Sequence, residues 1–171
     1  MSMVKNMVIY FIVIWLGIVV LMPKQELYYK LEEALLTEDI ALNEEKVEEG
    51  FFSITLKNVS VYAKGIYIAN IEEVSLFTLL FYSEVEVKDL RIDDSLKAMV
   101  PQKIEKAVLE YSVFSPFSVS IDAVGSFGSV GGNIALNERK IHLDFNESKN
   151  IDMLKPQLKK GEKGWVYETS F

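Results

Sequence analysis

The hydrophobic pattern divides the chain into three regimes. From Met7 to Met22, sixteen residues carry no charge, and only Gly17 is not strongly apolar. As a helix at about 1.5 Å per residue the stretch reaches about 24 Å, a little short of a hydrocarbon core, and Val4 can lengthen it. A buried core helix would show a polar face within four turns, so the pattern predicts a transmembrane anchor, with Met7, Tyr10, Trp15, Gly17 and Met22 among the membrane-spanning residues. Lys5 before an apolar run also fits a cleaved signal peptide, but Leu21-Met22-Pro23-Lys24 offers no small-residue cleavage site. The first expected unit is therefore 1–23, a cytoplasmic stub and an anchor. The second, 24–171, lies on the far side of the membrane.

The second regime is helical. Leu27, Tyr28, Leu31, Ala34 and Leu35 recur at helical spacing from Gln25 to about Thr37, with Glu26, Lys30, Glu32 and Glu33 opposite. Such a helix caps a sheet, and Pro23 suits its first turn.

From Ile40 onward the period is two. Phe52, Ile54 and Leu56 alternate with polar residues, as do Val59 and Val61, but the phase slips by one at Lys57-Asn58. The same slip recurs 31 residues later, where Val85 and Val87 precede Lys88-Asp89 and Leu90 and Ile92 follow. A slip turns side chains to the other face unless the backbone absorbs it, so a bulge or tight turn is expected at both places. All nine apolar residues would then share one face, a candidate apolar groove.

The rest reads as further strands. Ile66–Ala69 is one, and Val74–Tyr82 is a buried strand followed by a turn of helix. Asp93-Asp94-Ser95 caps a helical turn ending before Pro101. Ala107–Val113 and Phe117–Ala123 alternate, Gly125 to Gly132 is soft and bent, and Ile134–Leu136 pairs with Ile141–Phe145 in a hairpin. A short helix over about Ile151–Lys160 and a strand over Trp165–Phe171 follow. The fold class is mainly β: a single N-terminal transmembrane helix followed by a curved antiparallel meander of seven to nine strands with short capping helices.

Charge and chemistry narrow the function. The net charge is −7, and beyond residue 23 it is −8, which argues against nucleic acid and anionic membrane surfaces as partners. No Cys is present, so thiol chemistry and thiolate metal sites are excluded. His142, the sole histidine, sits on a polar strand face between Lys140 and Asp144. Glu44, Glu45, Glu48 and Glu49 form an acidic patch whose spacing fits no calcium loop and reads as a solvated edge. No nucleophile, phosphate-binding or dinucleotide motif occurs. Neither catalysis, cofactor nor metal is expected.

The order of an anchor, Leu27–Leu36 (LYYKLEEALL), Glu44–Tyr62 (EEKVEEGFFSITLKNVSVY), Gly65–Ala69 and Glu73–Phe77 resembles the bacterial type II secretion protein N family and, more distantly, the start of AsmA-like proteins. The resemblance implies a non-enzymatic inner-membrane protein with a periplasmic, curved β-sheet. It would act in secretion-apparatus assembly through envelope or secretion protein partners. The AsmA side implies instead lipid binding or transfer, with phospholipid as ligand.

Overall fold

The computed structural model describes residues 7, 9, 10, 13, 14, 17, 24–79, 81–96, 100–149, 151, 152, 154–161 and 164–171. Of the predicted anchor, Trp15 and Met22 lie outside the described residues. Met7, Tyr10 and Gly17 are helical, as are Ile9, Val13 and Ile14. Met7, Ile9, Tyr10, Val13 and Ile14 are all exposed. Among the described residues no helix is long and apolar enough to cross a membrane.

Helix α1 (Lys24–Thr37) is followed by eleven strands in one antiparallel sheet. They are β1 (Ile40–Asn43), β2 (Lys46–Glu49), β3 (Ser53–Ala63), β4 (Ile66–Leu79), β5 (Tyr82–Ile92), β6 (Lys103–Ser112), β7 (Ser118–Gly125), β8 (Gly128–Ala135), β9 (Lys140–Ser148), β10 (Lys159–Lys160) and β11 (Trp165–Ser170). Neighbours run β1-β3-β4-β5-β6-β7-β8-β9-β11-β10, with β2 also on β3. The meander is thus consecutive from β3 to β9, and only its two ends depart from chain order.

Side-chain alternation gives this sheet two unlike faces. Directly paired residues share a face, and the row Leu56, Val74, Val87, Ala107, Ala123, Val130, Phe145, Trp165 is apolar across eight strands. The neighbouring row on the other face, Lys57, Glu73, Lys88 and Lys106, is charged. Glu73 accepts from Lys57 and from Lys88 (2.8 Å), and Glu86 from Lys106 (2.6 Å). The bonds from Lys57 first and then Lys88 hold the Glu73 carboxyl down at about 2, below the ordinary 4.5.

Two cores lie at opposite ends of the apolar face. Near β3, Tyr28 of α1 packs on Ile54, Leu56 and Val59, so α1 caps the sheet as its pattern predicts. Near β9, Phe127, Val130 and Phe145 pack with Ile151, Leu154 and Leu158.

Several sequence expectations are corrected. Among the described residues, Val74–Tyr82 holds no helical turn: Val74–Leu79 ends the fourteen-residue β4, Leu76 is 37% exposed, and Tyr82 opens β5. Among the described residues, Ile151–Lys160 is not one α-helix. Its regular parts are a 3-10 turn at Lys155–Gln157, with Pro156 inside it, and the short β10. Pro156 supplies no N–H to an α-helical ladder, and its ring would clash with a preceding turn's carbonyl in a continuous helix. The Gly125–Gly132 stretch forms the β7–β8 hairpin, turning at Ser126-Phe127, and it is bent as expected, the register against β9 shifting between Ser129 and Val130; a Cβ at Gly132 would collide with the His142 carbonyl oxygen. The turn after Asp93 is a 3-10 turn, Asp94–Leu96, with Asp93 accepting from the Ser95 N–H; residues 97–99 of that expected turn lie outside the described residues.

Candidate functional site

The two phase slips are backbone kinks. Asn58 has φ +50° and Asp89 φ +47°, left-handed conformations that Asn and Asp adopt more readily than most residues. Neither is a one-sided bulge, because the intervening β4 carries the same extra residue. Ladder pairing runs from Lys57–Glu73 to Val59–Ile71 and from Glu73–Lys88 to Ile71–Leu90, skipping Asn58, Glu72 and Asp89 together. In β6 it skips Glu105, between Lys88–Lys106 and Leu90–Ile104.

A crease therefore crosses β3 to β6 in register. It ends at β7, where the pairing shifts between Ile104 and Lys106 and a true bulge absorbs the surplus residue. On the other side the crease breaks the edge strand into β1 and β2. Between them the Glu45 N–H donates to the Lys57 carbonyl (3.1 Å), and the Asn58 amide donates to Glu45 (2.7 Å).

The crease keeps the apolar residues on one face. Ile54 and Leu56 are buried on the same side as Val59, which is 1% exposed. Val61 pairs with Ala69 and Ala69 with Ile92, and Leu90 pairs with Ile71, so the second halves of both octapeptides share that face. A cavity of about 290 Å³ lies there, lined by Ile54, Leu56, Val59, Val85 and Val87 of the expected groove. Phe52, Val61, Leu90 and Ile92 do not line it.

The lining also includes Tyr28, Leu42, Ile71, Val74 and Leu76, absent from the sequence-level set. The β4 members carried a readable signal, the three-residue step from Ile71 to Val74 that mirrors Leu56 to Val59. Tyr28 reaches in from α1, and its hydroxyl donates to Glu44 (2.7 Å) at the rim. Burial first, and then that bond, push the Tyr28 hydroxyl well above its ordinary value, so it stays neutral. The lining is apolar throughout. Leu76, at 37% exposed, opens the groove toward the middle of the sheet.

The acidic patch is spent on local bonds. Glu44 accepts from Tyr28, Glu45 from Asn58, and Glu48 from Lys46 (2.6 Å). No group of carboxylates and histidine suited to a metal occurs among the described residues.

A cavity of about 470 Å³ on the polar face is lined by His142, Glu168, Lys140 and Asn133 among others. His142 stands between two carboxylates, Nδ1 3.2 Å from Glu168 and Nε2 3.2 Å from Asp144. This is a cross-strand charge ladder, since His142 and Glu168 are direct partners of β9 and β11.

Compared with known proteins, the chain matches no family model, no curated protein and no solved structure.

Proposed function

We propose that the protein is a non-enzymatic, membrane-tethered envelope module whose apolar sheet face binds an acyl chain, the groove between α1 and β3–β5 being the seat. The observation that carries this reading is an open cavity of about 290 Å³ without a polar lining atom. A site of that chemistry selects an apolar chain and leaves its headgroup outside. The tether is residues 7–22, and its support is the exposure of Met7, Ile9, Tyr10, Val13 and Ile14. An inner-membrane position with residues 24–171 periplasmic follows from the sequence resemblance.

A photoreactive benzoylphenylalanine at Leu76, on the groove rim, tests the reading in the full chain in cells. A phospholipid-mass adduct is expected there, and none at Glu84 on the charged face. Val87→Trp, which fills the groove, should lower the adduct yield several-fold.

The second reading is secretion-apparatus assembly through protein partners. The likeness of Glu44–Tyr62 and its neighbours to secretion protein N favours it, and a protein-sized adduct at Leu76 would select it. Loss of exoprotein secretion on deletion is its independent measurement.

A further inference from the structure

The two ends of the sheet differ in their aromatic residues. At one end lie the β2–β3, β4–β5, β6–β7 and β8–β9 connections, whose tips present Phe51, Phe81, Phe114, Phe117 and Leu136, all exposed, with the charged Glu138, Arg139 and Lys140 confined to the β8–β9 tip. Phe51 is 78% and Phe114 83% exposed, values no core residue approaches. Backbone bonds tie these tips into one rim. Thr78 N donates to Phe52 O, Val113 N to Phe81 O, and Leu136 N to Phe117 O, at 2.8, 2.9 and 2.8 Å. The Phe81 and Phe114 rings meet edge to face at 5.6 Å. At the other end the turns carry Lys64, Asp94 and Lys149, all exposed, with Ile66 and Tyr67 as exposed apolar side chains, while Phe127 folds back into the core.

The direction of α1 says which end faces the tether. Tyr28 packs over the middle of β3, on Ile54, Leu56 and Val59, whereas the helix exit is bonded at the charged end, Lys64 N donating to Asp39 O (2.7 Å). The helix therefore runs toward the charged end, and its start at Lys24 points toward the phenylalanine rim. The apolar stretch 7–22 joins the chain at that start.

We infer that the rim is a bilayer-docking edge: the sheet stands end-on at the membrane with Phe51, Phe81, Phe114 and Phe117 in the interfacial layer of the bilayer that holds the tether. Aromatic rings partition to that layer, and a chain of net charge −7 gains nothing there from anionic headgroups, so docking is apolar in origin. The inference shares the tether with the proposed function but does not need the groove to be occupied.

The absence of cysteine allows a clean test. Single variants Phe51→Cys, Phe114→Cys, Lys64→Cys and Asp94→Cys of the full chain, each carrying an environment-sensitive nitrobenzoxadiazole label, are reconstituted in phosphatidylcholine vesicles containing nitroxide-labelled lipid. Their side chains are exposed, so the variants keep the wild-type fold, checked by circular dichroism. Quenching several-fold stronger at positions 51 and 114 than at 64 and 94, and unchanged by high salt, is expected. Equal quenching at the two ends, or stronger quenching at 64 and 94, overturns the docking edge. A phospholipid adduct at Leu76 alongside equal quenching would overturn this inference alone, and docking without any lipid adduct would overturn only the acyl-chain reading.

Discussion

The crease can be broken at one residue. Asn58 holds φ +50° with its side chain bonded to Glu45 on an exposed surface. A β-branched side chain there meets the left-handed penalty in full, roughly 1–2 kcal/mol, and loses the exposed bond, worth about 0.5 kcal/mol more. Asn58→Val should thus destabilise by about 2 kcal/mol, and Asn58→Gly, which has no Cβ to clash, by less than about 1 kcal/mol. Deleting Asn58 removes the surplus residue from β3 alone. Alternation from Leu56 through Lys57 to Val59 is then unbroken, so the valines stay inward, while Glu72 of β4 is left as a one-sided bulge and the bond to Glu45 is lost. The deletion should therefore cost less than turning one buried valine outward, roughly 1.5–3 kcal/mol. Urea denaturation of the full chain in detergent, followed by far-ultraviolet circular dichroism, reads all three variants. A Val variant as stable as wild type, or a deletion that loses the fold outright, would refute this account of the crease.

Two further outcomes rest on the sheet. Glu73 has its folded-state pKa lowered from 4.5 to about 2, so its stabilisation is fully present above pH 4.5 and is lost as pH falls toward 2; the urea midpoint should be flat from pH 7 to 5 and drop below that, and Glu73→Gln should flatten part of the drop. Gly132→Ala drives a Cβ into the His142 carbonyl and should cost about 1–3 kcal/mol, whereas the Cβ of Gly131→Ala meets only the movable Asp122 carboxylate, 3.1 Å away, and should change the thermal midpoint little.

What the sequence made legible is what local pattern encodes. The three-to-four spacing around Tyr28 predicted α1 and its capping role. The paired Lys-Asn and Lys-Asp slips marked the two positive-φ residues, because a polar residue tolerant of left-handed backbone stood where alternation failed. The matching slips in β4 and β6 were equally present, at Ile71-Glu72-Glu73-Val74 and Ile104-Glu105-Lys106-Ala107. Neither copies the octapeptide, and only pairing shows that Asn58, Glu72, Asp89 and Glu105 form one line.

Burial was less legible, since hydrophobicity does not say which end of a strand meets a cap. The apolar run from Val74 read as buried, but α1 covers only the β3 side and the Ile151–Leu158 segment only the β9 side, so Leu76 and Phe81 stay exposed. The exposed phenylalanines follow the same logic. The three turns that carry Phe51, Phe81, and Phe114 with Phe117 could each have hidden their aromatic residues, as the Ser126-Phe127 turn does where Ile151 and Leu154 cover it. Among the described residues, the tips at the opposite end have no such cover. Phe51, Phe114 and Phe117 therefore stand out only once the meander has brought every second turn to one end, and that alternation of turns, a consequence of antiparallel pairing rather than of any motif, is what gathers scattered aromatics into a single rim.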